Sequence, residues 1–321
     1  MLITHPTKHS IQDAIKFAFK HLPQDEMLLR QQLIMNLIDS GFIEMEGCFV
    51  GVEGELVVGV LISQLRPDGL VMIWHPATLD NFSIQSFFSP LDKYAKSRNA
   101  PAIILMVDNN QIVEEITFFD NGFSYVSDML FLFSNVSESN KQLADELLTK
   151  KNNPQLKFIP VTEAIDKGEK NYRARLIELM RDTYINTKDF PKLLDLIPVD
   201  KILDEYQRNK FFRSELWFFV QKLHESNNDN NNNNNNRDIG VLLLTDSPSD
   251  CLELTYMGLV EGERGKGYSQ EIIKFAQKTA VELGRKFVTT VVDEQNSIAL
   301  RSYLKEGFIA WDRKKIYAKI F

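Results

Sequence analysis

The chain is short of cysteine, of histidine at ligand spacing and of long apolar runs, and each shortage excludes a class of protein. Two cysteines in 321 residues, Cys48 and Cys251, cannot build a disulfide framework, so a reducing, cytoplasmic setting is expected. The five histidines, His5, His9, His21, His75 and His224, show no zinc-type spacing with those cysteines, and no metal is expected. No apolar stretch approaches the roughly 18 residues that cross a bilayer. The first residues lack the basic-then-apolar order of a secretory leader, so no secretory signal is expected, and no membrane partner either. Basic charge is scarce too: 37 Lys and Arg face 44 Asp and Glu, and the net charge of −7 argues against sequence-independent nucleic-acid binding.

What is present suffices for a folded protein of roughly two domains. Hydrophobic residues make up 44% of the chain, enough for a core in each half. One segment cannot contribute to either: 227–236 is asparagine broken only by Asp229. Strand-like runs flank it, Leu216–Val220 before and Gly240–Thr245 after, so the tract is expected at a hairpin tip, an insert over 226–237.

The second half reads as a strand at 156–161, helices at 171–186 and 199–209, the hairpin, and a strand at 251–260. A glycine-bearing turn follows, then a helix at 269–283 with Ile272, Ala276 and Ala280 on one face and Gly284 at its left-handed cap. A strand at 286–293, a helix at 297–305 and a strand at 315–321 complete it. The first half repeats that order, from a hairpin over 48–63 to a strand at 129–133. An offset of 185 residues carries Asp108 onto Asp293 and Gly122-Phe123 onto Gly307-Phe308, which points to an internal duplication. The expected organisation is a first domain over 1–136, a linker over 137–155 with a helical stretch at 141–148, and a second domain over 156–321.

The residues that carry chemistry lie in the second half. Met257, Gly258, Leu259 and Val260 close a strand, and Arg264, Gly265, Lys266, Gly267, Tyr268 and Ser269 form a turn opening a helix. Glycines let consecutive N–H groups point into one concavity, and the helix start favours an anion there. The expectation is a diphosphate seat. A dinucleotide fingerprint would need glycine where Gln270 stands, and a Walker loop would need Ser or Thr where Gly267 stands. The incomplete Walker pattern opposes a nucleotide-dependent, kinase-like enzyme.

The segment resembles the Arg/Gln-x-x-Gly-x-Gly/Ala motif of the GNAT superfamily of acyl-CoA-dependent N-acyltransferases, at Arg264, Gly267 and Ser269, with Ser in place of the usual Gly or Ala. A second block, Asn296 through Tyr303 to Gly307-Phe308, resembles the family's Asn-x6-Tyr-x3-Gly-Phe pattern. The resemblance implies an α/β fold of two tandem GNAT-like domains, each a splayed mixed sheet flanked by helices. Acetyl-CoA would be the co-substrate, its pantetheine arm along Met257, Gly258 and Val260 and its diphosphate at the amides of 265–269. It also implies that an amine attacks the thioester directly, with Tyr303 as the acid that protonates the leaving thiolate and Asn296 in a positional role.

For the base the candidate is Glu253, eleven residues ahead of Arg264, a placement that resembles the catalytic glutamate of histone-acetyltransferase-like members. Strand alternation is expected to put Glu253, Thr255 and Met257 on one face and Leu252, Leu254 and Tyr256 on the other. The first half lacks these parts. The same offset carries Arg264, Gly267 and Ser269 onto Leu79, Phe82 and Ile84, beside Asp80, and Tyr303 onto Phe118. It is expected to be a fold-preserving, inactive repeat, which could act as a pseudo-dimer partner within a monomer. A non-catalytic acyl-CoA-binding module remains the alternative. The acceptor would be a small-molecule or peptide amine. Its wall would be the helical stretch 172–194, whose Arg173, Arg175, Arg181, Asp182, Tyr184, Asp189 and Phe190 admit peptide amines, polyamines or amino sugars.

Overall fold

A first unit takes Met1–Val126 together with Lys314–Phe321, and a second takes Ser127–Arg313. The computed structural model describes residues 1–7, 10–20, 22–79, 82–108, 115–137, 155–166, 168–169, 171–223, 237–247 and 249–321. The Asn-rich tract, the helical stretch at 141–148 and Asp80 lie outside them.

The second unit is a mixed sheet whose strand order follows from its hairpins and one parallel crossover. β7 (Leu156–Pro160), β8 (Trp217–Lys222), β9 (Asp238–Ser247) and β10 (Cys251–Leu259) pair antiparallel in succession. β11 (Phe287–Asp293) lies parallel to β10, and β6 (Ser124–Asn135) closes that edge antiparallel to β11 through Met129–Asn135. The crossover from β10 to β11 is a helix over Tyr268–Glu282. Its apolar stripe, Ile272, Ile273, Ala276 and Ala280, is fully buried against Leu252, Leu254, Val288 and Val292. It ends as the sequence signals: Gly284 has φ +69°, and the Arg285 N–H reaches back to the Ala280 carbonyl at 2.8 Å.

The first unit repeats this plan. β1 (Leu2–Thr4), β2 (Cys48–Glu53), β3 (Leu56–Leu65) and β4 (Val71–Thr78) are antiparallel, β5 (Ala102–Asp108) is parallel to β4, and Lys314–Ile320 of β12 (Ile309–Ile320) closes the edge against β5. Two helices not anticipated from sequence, α1 (Ser10–Ala18) and α2 (Gln24–Asp39), accompany this sheet, together with the expected α3 (Phe88–Ser97) and α4 (Glu115–Asp120). Ile11, Ala14, Ile15 and Ala18 of α1 are buried at helical spacing. The sixth strand of each unit is thus the one that follows the other unit's fifth strand in sequence. β6 comes after β5 but pairs with β11; β12 comes after β11 but pairs with β5.

The duplication is visible atom for atom at one corner. In the first unit Gly122 has φ +86° and the Phe123 N–H binds the Phe118 carbonyl at 3.0 Å. In the second, Gly307 has φ +80° and the Phe308 N–H binds the Tyr303 carbonyl at 3.1 Å. Earlier in the repeat the offset changes. Val71 pairs with Ile103 and Leu252 with Val288, so the fourth strands align at 181 residues, not 185. The helix that follows keeps 185, the Ala100 N–H binding the Ala95 carbonyl at 3.0 Å as the Arg285 N–H binds that of Ala280, so the change of offset falls between the fourth strand and that helix. The stretch from 79 to 87 holds no glycine, and the Phe87 and Phe88 rings are buried in the core.

Candidate functional site

The site starts where two parallel strands part. β10 and β11 pair at four rungs, from Cys251–Phe287 to Leu254–Thr290, and then separate, although each strand continues. On its other edge β10 stays paired with β9 out to Leu259. Among the described residues the backbone of β10 beyond Leu254 therefore has one edge without a strand beside it. At the fork the Thr290 hydroxyl donates to the Leu254 carbonyl at 2.9 Å.

A β-bulge at the fork changes which side chains face where. The β10–β9 register slips between Leu254 and Tyr256, leaving Thr255 extra. The expected alternation fails after this point. Met257 and Leu259 join Leu252 and Leu254 against the core helix, while Tyr256 turns to the side of Glu253. There the Tyr256 hydroxyl meets Thr183 at 2.7 Å, and its ring stands edge-on to Tyr184. Both residues belong to α6 (Tyr172–Tyr184), the expected acceptor wall, which follows a short helix α5 (Val161–Asp166). Gly258 is required by this approach. A Cβ there would lie 2.6 Å from the Thr183 Oγ1 and 2.7 Å from its Cβ.

Past β10 the chain makes the glycine turn. Gly265 and Gly267 have φ of +75° and +87°, and a Cβ on either would meet no atom within 4 Å. Gly267 caps the helix over Tyr268–Glu282 with no side-chain partner. The N–H groups of Tyr268 and Ser269 are at the helix start, where no preceding carbonyl can reach them. Among the described residues, the Gly265, Lys266 and Gly267 N–H groups take no backbone acceptor either. Five successive amides are thus available to an anion. The side chains around them do other work. Lys266 pairs with Glu263 at 2.8 Å, the Ser269 hydroxyl meets Ser302 at 3.2 Å, and the Tyr268 ring is buried in the core.

Arg264 is placed differently from a phosphate ligand. Its guanidinium donates to three backbone carbonyls: Leu259 at 3.0 Å, Asn186 at 3.3 Å and Thr183 at 2.8 Å. It caps the C-terminal end of α6 and ties that end to the glycine turn. The Asn186 side chain adds a second tie, donating to Glu261 at 2.7 Å. Val260 is engaged too, its N–H donating to the Ile239 carbonyl at 2.9 Å.

The remaining expected residues cluster at the fork. Tyr303, on the helix over Ser297–Lys305, is 5% exposed and packs against Phe308. Its hydroxyl hydrogen-bonds with Thr290, and burial holds its pKa above that of an ordinary phenol. Asn296 caps that helix, its side chain accepting the Ala299 N–H at 3.2 Å. Glu253 sits between Thr245 and Thr289 on neighbouring strands, and burial raises its pKa. In the first unit the counterparts of Thr290 and Tyr303 are Leu105 and Phe118, both apolar and buried, and that of Glu253 is Met72.

One residue named from sequence only as part of a wall proves to be more specific. The Asp189 carboxylate accepts the Asp293 N–H at 3.1 Å and hydrogen-bonds with Asn296. Burial, with the like charge of Asp293, pushes its pKa up to about 6. Asp293 reciprocates by accepting the Phe190 N–H at 3.0 Å and is further bound by the Ser127 hydroxyl and the Gln295 N–H. The only sequence signal was an acidic residue beside an apolar one ahead of Pro191.

Among the described residues no group of His, Cys, Asp and Glu could hold a metal, and no helix is long and apolar enough to cross a membrane. No family model matches the chain, and no curated protein matches it. Solved structures do. A GCN5-related N-acetyltransferase from Sphaerobacter thermophilus aligns with a TM-score of 0.58 at 11% identity, over 99% of this chain and 95% of that one. A GCN5-related glucosamine N-acetyltransferase region of a fungal multi-domain β-N-acetylglucosaminidase aligns at 0.60 and 10% identity, over 99% of this chain and 38% of that one. A conserved protein of unknown function from Staphylococcus epidermidis aligns at 0.51 and 12%, over 84% and 94%. The chain has the GNAT fold along its whole length.

Proposed function

We propose that the second unit is an acyl-CoA-dependent N-acetyltransferase that passes the acetyl group of acetyl-CoA to a primary amine. The observation that carries this reading is the fork: two parallel strands part above five available amides, with a buried phenol at the point of separation. An extended thioester with a diphosphate at its far end fits that arrangement. The amides from Gly265 to Ser269 would hold the diphosphate at the helix start. The β10 edge at Met257 and Gly258 would receive the pantetheine amides as a further strand would. Leu259 and Val260 would lend packing only, since their nearby backbone groups serve Arg264 and Ile239.

In this reading the amine attacks the thioester carbon directly. Tyr303 supplies a proton to the departing thiolate, and its raised pKa keeps that proton in place across the neutral range. Glu253, on the acceptor side of β10, is one of two carboxylates with a raised pKa near the fork, Asp189 being the other, and a carboxylate so raised suits the base. The first unit, with Leu105, Phe118 and Met72 in place of the polar groups and no glycine turn, would hold no thioester and catalyse nothing.

The test is a calorimetric titration with acetyl-CoA, followed by thiol release with spermidine, a lysine-bearing peptide and glucosamine, the last prompted by the fungal neighbour's name. Binding with turnover of one amine is expected. Absence of acetyl-CoA binding refutes the reading; binding with no turnover on any amine converts it to a non-catalytic acyl-CoA module.

A further inference from the structure

The loop 185–190 between α6 and α7 (Pro191–Leu194) is held in an unusual conformation. Two of its residues other than glycine, Asn186 and Phe190, have φ of +53° and +44°, a region costly for a side chain as bulky as phenylalanine. Three ties hold it: Arg264 on the Asn186 carbonyl, Asn186 on Glu261, and the reciprocal bonds between 189–190 and Asp293. What this places is the Asp189 carboxylate. The Glu294 N–H points to Asp128, the residue preceding Met129 on β6. Backbone groups alternate along a strand, so the Asp293 N–H points the other way, into the gap left by β10. Asp189, which accepts it, is therefore on the gap side of β11.

Asp189 is bonded to the Asp293 N–H on β11 and to Asn296 at the next helix start, and Asp293, Tyr303, Tyr256 on β10 and Tyr184 on α6 are near enough to be coupled to its charge. Among the described residues no lysine or arginine pairs with Asp189. Among the described residues the buried Tyr184 hydroxyl has no hydrogen-bond partner. A carboxylate held by one backbone amide and one side-chain amide, beside the like charge of Asp293 and with no paired cation among the described residues, is a site short of one positive group. Glu253 is less well placed for that group, since it lies on a rung where β10 and β11 are still paired.

We propose that Asp189 receives the acceptor as an ammonium ion and takes its proton, so that the acceptors are alkyl amines rather than aryl amines. This rests on the acyltransferase reading of the same site. The ammonium nitrogen gives one proton to the Asp189 carboxylate, and the freed lone pair forms the bond to the thioester carbon. The carbon–sulfur bond breaks, and the thiolate takes the Tyr303 proton. The second excess proton on nitrogen returns to the Tyr303 oxygen, and Asp189 releases its own to solvent. The products are the amide, CoA thiol and one proton, and no charge is left over. An aryl amine, uncharged at neutral pH, offers the carboxylate a neutral N–H donor but no positive charge.

The experiment compares wild type, Asp189→Asn and Asp189→Glu from pH 5 to 9, reading acetyl-CoA binding and thiol release with spermidine, benzylamine and aniline. Spermidine and benzylamine are expected to turn over and aniline not. In wild type kcat/KM should rise through a limb near pH 6, where Asp189 ionises. Asp189→Asn should lose that limb and at least 100-fold in kcat/KM, with acetyl-CoA affinity within threefold of wild type. Asp189→Glu should recover part of the rate and move the limb. An Asn variant as active as wild type overturns the proposal and leaves the acyltransferase reading standing; so does faster turnover of aniline than of benzylamine. Wild type that fails to bind acetyl-CoA overturns both. Should the Asn variant not fold, an unchanged pH profile in the Glu variant overturns the proposal.

Discussion

Replacing Tyr303 by phenylalanine removes one oxygen, and two consequences of that loss differ enough in size to be measured apart. The first is structural. The hydroxyl makes a hydrogen bond with Thr290, and giving it up costs about 1 kcal/mol of stability. The ring itself loses nothing, because the molecule already contains the substituted corner. Phe118 packs on Phe123 with ring centroids 5.8 Å apart, as Tyr303 packs on Phe308 at 5.4 Å. The second consequence is chemical. A general acid contributes roughly 10²–10⁴ in rate, which is about 3–5 kcal/mol of barrier. Tyr303→Phe is therefore expected to fold, to shift its urea midpoint only by what about 1 kcal/mol explains, to bind acetyl-CoA as wild type does, and to lose at least 100-fold in kcat for thiol release. The parallel substitution Phe118→Tyr should change no rate. A Tyr303→Phe enzyme whose kcat stays within threefold of wild type, with binding intact, refutes the role of the phenol.

Other substitutions probe the frame around that phenol. Gly258→Ala puts a methyl carbon against Thr183 and should cost about 1–3 kcal/mol of stability, read by thermal unfolding, with a higher KM for the amine as α6 is pushed away. Gly267→Phe meets no clash but forces a side chain onto φ +87°; stability should fall by about 1–2 kcal/mol, and acetyl-CoA affinity by at least tenfold in a calorimetric titration as the ring covers the amides. Arg264→Ala strips donors from three carbonyls and should cost about 2 kcal/mol in denaturant unfolding; Arg264→Lys should rescue little, since one ammonium cannot span three diverging acceptors.

The parts of the site that a reader of the sequence can find are those with a local cause. Gly265 and Gly267 announce a turn because no other residue adopts their φ cheaply, and Asn296 announces a helix start because its side chain caps the turn that follows. The parts that cannot be found depend on a partner strand or on distance. Thr255 looks like any strand threonine, yet its bulge reverses the facing of Tyr256 and Met257. Arg264 sits where a phosphate ligand is expected and instead serves carbonyls that precede it by up to 81 residues. β6 has the alternation of a strand buried on one face, which fits β5 and β11 equally well; periodicity says which face is buried, not which neighbour is chosen. α1 and α2 had a readable pattern, and Ile11, Ala14, Ile15 and Ala18 carry it.

The exchange of β6 and β12 has a practical consequence for anyone who divides the chain. A fragment ending near residue 136 would carry β6 without β11, and a fragment beginning near 156 would carry β12 without β5. Each would end in a strand with no seat of its own and would leave the outer side of its fifth strand bare. Two copies of one fragment can cure both defects by trading tails, so the separate halves should be recovered as reciprocal homodimers. An ancestor of half the length, working as such a dimer, would need only a tether between copies to become this chain.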